Sequence, residues 1–300
     1  MGALWDQSDV VVLDGGMSNA LEERGHDLSD KLWSARLLRD APEEIAAVHR
    51  EYYLAGASVA TTASYQASVG GFMAYGAERS EAEALVRSSV TIAREVRDSL
   101  ADDGRRWVAA SVGPYGAVLA DGSEYRGRYG LSAQALREFH RPRIELLLSA
   151  GPDLLAVETI PDVDEAEVLA SLLDEYAVPA WFSYSIDGDR TRAGQVLPEA
   201  FAVAAGCATV VAVGINCCRP ADVGPAVRTA TDAIDLPVVA YPNNGEDWDP
   251  HARSWAGAAA YDVRMARDWV AAGARLVGGC CRVGPADIAA VATALDLRAG

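Results

Sequence analysis

Residues 154–185 read LLAVETIPDVDEAEVLASLLDEYAVPAWFSYS, and this stretch decides the fold class. It begins with the apolar run Leu154–Glu158, continues as an amphipathic segment over 162–176, and closes with a second apolar run, Ala180–Ser185. Continuous apolar runs without strict polar alternation are typical of strands that are buried on both faces of a parallel sheet. The stretch therefore predicts a strand–helix–strand unit with parallel strands.

The same unit recurs along the chain. Further strands are predicted at Val10–Leu13, Ser58–Thr62, Trp107–Val112, Val210–Ile215, Pro237–Tyr241 and Arg275–Gly278. Amphipathic segments predict helices over 78–101, 132–150, 198–206, 220–233, 257–272 and 285–297. Another helix is predicted to start at Asp40-Ala-Pro-Glu43, with Asp40 as its cap and Glu43 closing a capping box.

Glycines mark several of the predicted helix ends. The pairs are Ala55-Gly56, Ala150-Gly151, Ala205-Gly206 and Ala272-Gly273, and glycine after a helix supplies a left-handed residue. Eight strands alternating with eight helices favour a (β/α)8 barrel over a doubly wound open sheet. Since no linker-like segment interrupts the pattern, we expect one domain over residues 1–300.

The charge balance excludes several classes of function. The chain has 26 Lys+Arg against 43 Asp+Glu, a net charge of −17, and Lys31 is its only lysine. A phosphate-binding loop of the Walker type and a lysine Schiff base are therefore disfavoured, as are nucleic-acid and anionic-membrane partners. No apolar run approaches the roughly 20 residues of a membrane helix. We expect a soluble cytoplasmic protein whose five cysteines are free thiols.

Residues at the carboxyl ends of the strands are the candidates for chemistry, because barrel enzymes work at that end. Thiol pairs follow the sixth and eighth strands, as Asn216-Cys217-Cys218 and Gly278-Gly279-Cys280-Cys281. Several thiolates at one rim favour zinc, and three of them would leave an open position for a substrate. Because side chains alternate along a strand, one of Cys217 and Cys218 is predicted to point inward. Cys207 is expected to be a buried residue that packs as a small apolar side chain.

Two acidic residues also follow strands. Asp14 lies before Gly15 after the first strand, and Glu158 ends the fourth. We expect both carboxylates to hold the ammonium group of a small amino acid, although solvated loop acids or helix caps are the alternative.

The strand ends together resemble the zinc-dependent homocysteine S-methyltransferases. The resemblance spans residues 10–297 and is carried by Leu13-Asp-Gly-Gly16, Thr62-Ala-Ser-Tyr-Gln66, Ser111-Val-Gly-Pro-Tyr-Gly116, Glu158-Thr159, Gly214-Ile-Asn-Cys217 and Gly278-Gly-Cys-Cys281. The loop Ala120-Asp-Gly-Ser-Glu-Tyr-Arg-Gly127 resembles the branch that uses S-methylmethionine or S-adenosylmethionine.

The resemblance implies a (β/α)8 barrel in which zinc is held by Cys217, Cys280 and Cys281, which removes Cys218 from the ligand set. It implies a homocysteine site at Asp14, Gly15 and Glu158, and we assign the neighbouring Asn216 to the same site. The aromatic faces of Tyr65, Tyr115, Tyr125 and Tyr129 are candidates for contact with a cationic donor, with loop packing as the alternative.

The implied reaction is methyl transfer from a sulfonium donor to the homocysteine thiolate, which gives methionine. Its partners are these small molecules, with no nucleotide cofactor. Three alternatives remain open at this point. They are a betaine- or methylfolate-using homocysteine methyltransferase, a barrel lyase or aldolase with incidental cysteines, and a non-catalytic zinc-binding protein.

Overall fold

The computed structural model describes residues 6, 9–101, 104–249 and 254–295. Eight parallel strands form its main sheet. In chain order they are β1 Val11–Val12, β2 Val59–Thr61, β3 Trp107–Val112, β4 Leu154–Ile160, β5 Ala180–Tyr184, β6 Val210–Asn216, β7 Val238–Tyr241 and β8 Ala274–Val277. All eight predicted strands are confirmed, and they differ from the predictions only at their ends.

The sheet curls into a (β/α)8 barrel, as predicted. Each strand lies beside its neighbour in the chain, and β8 lies beside β1. A parallel bridge between Leu13 and Val59 joins the two ends of the sheet. The amide of Ser58 adds a hydrogen bond of 2.7 Å to the carbonyl of Val12 at the same junction.

Twelve α-helices lie in the described part of the chain. They are α1 Met17–Glu23, α2 Leu37–Asp40, α3 Pro42–Ala55, α4 Val69–Ala74, α5 Arg79–Ser99, α6 Tyr115–Leu119, α7 Ala133–Ser149, α8 Val163–Tyr176, α9 Leu197–Ala205, α10 Pro220–Ala233, α11 Val263–Ala271 and α12 Pro285–Ala294. Two 3-10 turns, Trp33–Arg36 and Ser123–Tyr125, lie in the connections after β1 and β3. Short antiparallel hairpins pair Ile186–Asp187 with Arg190–Thr191 and Asp247–Asp249 with Ser254–Ala256.

Two predicted helix starts and one predicted glycine conformation are wrong. Asp40 ends α2 and pairs with Arg36, so Ala41 precedes α3 and no side chain caps that helix. The helix expected from residue 257 begins only at Val263, because Asp262 caps it. Gly206 has a right-handed φ of −69°, unlike the other three glycines, whose φ angles are positive. Residues 296 and 297 of the last predicted helix lie outside the described residues.

Alternation along the strands divides the buried side chains into two sets. On β4, Leu154 and Ala156 belong to the cluster inside the barrel, whereas Leu155 and Val157 pack against the helices outside. The inner cluster also holds the fully buried Trp181. Since side chains alternate along a strand, Glu158 continues the inward-facing set at the carboxyl end of the barrel.

Within the described residues, no helix is both long enough and apolar enough to cross a membrane.

Candidate functional site

A cavity of about 570 Å³ opens at the carboxyl end of the barrel, above the apolar inner cluster. The residues that follow β1, β4, β6 and β8 line it, and they include Asp14, Glu158, Cys217 and Cys280. The connections after β1, β2 and β3 form the rest of its surface. The strand ends that were predicted to carry the chemistry therefore meet in one cavity.

Three thiols form a cluster in this cavity. The sulfur atoms of Cys217, Cys280 and Cys281 all lie within 4.8 Å of one another. Two of the separations are 3.8 Å, for Cys217 and Cys281, and 4.0 Å, for Cys280 and Cys281. Two sulfurs on one tetrahedral zinc ion with bonds of about 2.3 Å lie about 3.8 Å apart. The spacing of the three thiols therefore fits zinc.

Backbone geometry turns these thiols into the cavity. Cys217 has a φ of 49°, which breaks the alternation at the end of β6. Its neighbour Cys218 is fully buried in the outer core, so only one of the pair faces the cavity. The amide of Cys280 donates to the carbonyl of Pro242 at 2.8 Å, which ties the β8 loop to the β7 loop. A Cβ on Gly279 would lie 2.1 Å from Val283, so this bend needs glycine.

Electrostatics favour the thiolate at Cys217. Hydrogen bonds with Cys280 and Cys281 lower the pKa of the Cys217 thiol well below its usual value. The hydroxyl of Tyr125, 3.2 Å from the same sulfur, acts in the same direction. By contrast, burial raises the pKa of Cys218, which keeps that thiol neutral. Of the two thiols that follow β6, Cys217 is therefore the one suited to a metal.

Asp14 is a buried carboxylate held by β2. It accepts hydrogen bonds from the amide of Thr61 at 2.6 Å and from the hydroxyl of Thr61 at 2.8 Å. Burial nevertheless raises the pKa of Asp14 to about 8, and the charge of Glu158 acts in the same direction. The next residue, Gly15, also lines the cavity, and a Cβ there would lie 2.3 Å from the carbonyl oxygen of Val283.

Glu158 is held by side chains from two other strands. Its carboxylate accepts hydrogen bonds from the hydroxyl of Ser111 on β3 and, at 3.1 Å, from the hydroxyl of Tyr241 on β7. Burial raises the pKa of Glu158 to about 7 in spite of these bonds. We call this set the cavity floor; it comprises Asp14, Thr61, Ser111, Glu158 and Tyr241.

Asn216 lies beneath the cavity surface rather than on it. Its side-chain oxygen accepts from the amide of Thr159 at 2.7 Å and from the hydroxyl of Ser183 at 2.9 Å. Its amide group donates to the hydroxyl of Thr159 at 2.7 Å. Asn216 is fully buried, and both its side-chain oxygen and its amide group form hydrogen bonds with Thr159 or Ser183. These bonds hold Thr159 in a left-handed conformation with a φ of 61°. The structure thus gives Asn216 a positioning role instead of the predicted substrate contact.

The predicted aromatic residues divide into two groups. Tyr65 and Tyr125 line the cavity. Tyr115 and Tyr129 lie outside its lining, where their rings pack together at 5.4 Å and Tyr115 also meets Phe139 at 5.0 Å. For these two residues the structure shows loop packing, because the short helix α6 turns Tyr115 toward α7.

Trp33 and Glu124 also line the cavity, although sequence reasoning did not single them out. The ring of Trp33 lies edge-on to Tyr65 at 6.3 Å. We call the set that comprises Trp33, Tyr65, Glu124 and Tyr125 the loop wall. The sequence analysis also did not identify Thr61, Ser111 and Tyr241 as site residues. Each lies an even number of positions from inward-facing apolar residues of its own strand, and this spacing places it on the same face.

A (β/α)8 barrel with three thiols beside two buried carboxylates defines a class of metal-dependent enzymes that act on small molecules. Comparison with known proteins identifies the family within this class of enzymes. The sequence model of the family "Homocysteine S-methyltransferase" matches residues 11–295. The chain belongs to the homocysteine S-methyltransferase family.

Individual relatives agree with that membership. A homocysteine S-methyltransferase of Escherichia coli is 48% identical over 298 residues, which cover 96% of each chain. A selenocysteine Se-methyltransferase of Brassica oleracea is 42% identical and covers 96% of this chain and 89% of its own length. The metallated crystal structure of the homocysteine methyltransferase MmuM from Escherichia coli superposes with a TM-score of 0.87 at 46% identity, covering 95% of this chain and 96% of that one.

Proposed function

We propose that this chain is a zinc-dependent homocysteine S-methyltransferase that takes its methyl group from S-methylmethionine or S-adenosylmethionine. The observation that carries the proposal is the cluster of three thiols in one cavity with the carboxylates of Asp14 and Glu158. Membership of the family supports the reaction, and the metallated relative supports a metal at the thiols.

Cys217, Cys280 and Cys281 would hold the metal, and their sulfur spacing is compatible with a tetrahedral zinc ion. Three protein ligands would leave room for the homocysteine sulfur beside them, and bound zinc would supply the positive charge that lowers the pKa of that thiol and favours the nucleophilic thiolate. Thiolate ligands must stay reduced. We therefore propose that the protein works in a reducing compartment such as the cytoplasm.

Asp14 and Glu158 are suited to the ammonium group of homocysteine. Neither carboxylate forms an ion pair with any described residue of the chain. Burial raises both pKa values; the charge of Arg143 offsets part of this effect for Glu158, but no cation of the described residues forms an ion pair with either carboxylate. A bound ammonium would supply that cation and three hydrogen-bond donors, so both acids would ionise around it. The amino end of homocysteine would thereby be fixed relative to the thiol cluster.

The donor would occupy the side of the cavity formed by the loop wall. A sulfonium is a cation, and aromatic faces such as those of Tyr65 and Tyr125 attract cations. The new bond forms between the homocysteine sulfur and the methyl carbon while the bond from that carbon to the sulfonium sulfur breaks. The electron pair of the broken bond stays on the leaving thioether, which departs neutral. The protein would mainly align the two sulfurs on either side of the methyl carbon.

The proposed function also includes one domain over residues 1–300 and small-molecule partners.

A panel of methyl donors tests the proposed function. Each donor is incubated with homocysteine and zinc-loaded protein, and methionine is measured. The panel holds S-methylmethionine, S-adenosylmethionine, betaine and methyltetrahydrofolate. We expect methionine from the two sulfonium donors. Methionine from betaine or the methylfolate alone would overturn the donor assignment, and none from any donor would overturn the reaction.

A further inference from the structure

Glu124 differs from the other acids of the cavity because one of its oxygen atoms has no partner. Its Oε2 atom is buried and accepts no hydrogen bond from any described residue, and Glu124 forms no ion pair with them. Burial raises the pKa of Glu124 to about 7. An acceptor that is buried without a donor costs free energy, so a ligand that donates to it would recover that cost.

The loop around Glu124 holds this carboxylate in place. Asp121 accepts hydrogen bonds from the amide of Ser123 at 3.0 Å and from its hydroxyl at 2.5 Å, which closes the turn before Glu124. A Cβ on Gly116 would lie 2.5 Å from the amide nitrogen of Glu124, so α6 packs directly against this backbone. The loop therefore fixes the backbone of Glu124 at the cavity, and the carboxylate is not a free surface acid.

Glu124 lies in the loop wall, apart from the acids of the cavity floor. The charge of Glu158 acts on Asp14, whereas the charges of Cys217 and Asp121 act on Glu124. Tyr125 follows Glu124 in the chain, and the charge of Glu124 acts on Tyr65, so two aromatic rings of the loop wall neighbour this carboxylate. The cavity thus has two acidic regions, one on the cavity floor and one in the loop wall.

Given the proposed function, on which this inference rests, we propose that Glu124 binds the α-ammonium group of the methyl donor. An unpartnered acceptor needs a hydrogen-bond donor, and an ammonium offers three N–H groups whereas a sulfonium offers none. The ammonium charge also persists through the reaction, while the sulfonium charge disappears. Glu124 is therefore a specificity-determining residue that binds the ground state and the transition state equally, which affects KM rather than kcat.

The test compares wild type with Glu124→Gln, which keeps the size of the side chain and removes its charge. Loss of one charge-assisted hydrogen bond should raise KM for S-methylmethionine roughly tenfold to a hundredfold. We expect kcat and the KM for homocysteine to stay within about threefold, and Glu124→Asp to recover part of the donor affinity. Glu138→Gln, on the exposed outer face of α7, controls for the change in net charge.

Calorimetry on the metal-free proteins gives a second readout that does not depend on turnover. S-methylmethionine should bind Glu124→Gln more weakly by the same factor. The probe (2-carboxyethyl)dimethylsulfonium, which has the sulfonium but no ammonium group, should bind both proteins equally. Equal losses for both ligands would place Glu124 at the sulfonium, and no loss for either would remove it from the donor site; both results overturn the inference.

The two proposals fail in different ways. If wild-type protein makes methionine from S-methylmethionine and Glu124→Gln behaves identically, only the role of Glu124 is wrong. If wild type neither uses nor binds any sulfonium amino acid, the proposed function is wrong, and the assignment of Glu124 falls with it.

Discussion

The cavity floor and the loop wall face the same space, but their polar groups are satisfied in different ways. On the floor, Asp14 accepts two hydrogen bonds from Thr61, and Glu158 accepts from Ser111 and Tyr241. On the wall, the buried Oε2 atom of Glu124 has no partner among the described residues. Strand ends thus orient their acids before any ligand binds, whereas the loops leave a group for the ligand to satisfy. This difference suits an enzyme that fixes one substrate on its rigid barrel and selects the other with its loops.

The largest effect is expected at the thiols that lie beside both regions. Cys280→Ala should lose bound zinc and lower methyl transfer by at least about a hundredfold, because a metal site with two remaining thiols binds weakly. Metal content and methionine formation are measured on the same preparation. Cys207→Ala is the matched control, since the Cys207 thiol contacts Asp174 and Thr209 away from the cavity. A Cys280→Ala protein that keeps both its zinc and its activity would refute the ligand set.

A smaller effect separates the floor from the wall. Glu158→Gln should raise KM for homocysteine roughly tenfold to a hundredfold, because an amide binds an ammonium less strongly than a carboxylate does. The KM for S-methylmethionine should change little, which is the reverse of the pattern expected for Glu124→Gln. Steady-state kinetics with each substrate varied in turn checks this. If both variants raise the same KM, the division of the cavity into two substrate regions is wrong.

The floor should also make stability depend on pH. The pKa of Asp14 is about 8 in the folded chain, above its ordinary value of 3.8, so the folded state binds more protons between these pH values. The stability of ligand-free protein should therefore fall as pH rises from about 4 to 8, by up to about 1.4 kcal/mol per pH unit for this one group.

Asp14→Asn should make that dependence shallower, because Asn does not titrate, while Glu158 and Glu124, whose pKa values are also raised, still do. Denaturant unfolding at pH 5.5, 7 and 8.5 measures it, with Asp164→Asn on α8 as a surface control in the same metal state. An equally steep loss of stability in Asp14→Asn would show that another group is responsible.

The smallest effect concerns the fold itself. Removal of the metal by a chelator should leave the far-ultraviolet circular dichroism and the cooperativity of unfolding unchanged, because buried side chains such as Leu154 and Trp181 form the inner cluster of the barrel and Cys280 only packs against it. Loss of the helical signal on chelation would mean that the metal centre is structural.

The sequence predicted the barrel and the strand ends that carry thiols because both depend on short-range patterns, whereas the choice of Cys217 over Cys218 came from the family resemblance. Apolar runs such as Leu154–Glu158 mark buried strands, and Cys217, Cys280 and Cys281 directly follow strands whose ends must meet. The alternation of side chains along β4 also places Glu158 inside the barrel. Helix ends were less predictable, as Asp40 shows, since a residue that suits a cap can equally end the preceding helix.

The roles of three other residues could not be predicted from the sequence, because they depend on contacts between residues far apart in the chain. The alternation of side chains along β6 places Asn216 facing inward, yet its polar atoms form hydrogen bonds with Thr159 and Ser183. Tyr115 lies in a matching motif but packs on Tyr129. Glu124 lies in the loop that suggested the donor, but only the three-dimensional structure shows that its oxygen lacks a partner.

The number of sulfur atoms around bound zinc, measured by X-ray absorption before and after homocysteine is added, tests the central claim most directly. The account predicts three sulfurs in the free protein, from Cys217, Cys280 and Cys281, and four once homocysteine is bound. Four sulfurs before homocysteine is added would indicate a closed structural site. A count that stays at three with homocysteine bound would contradict activation of the substrate thiol at this metal.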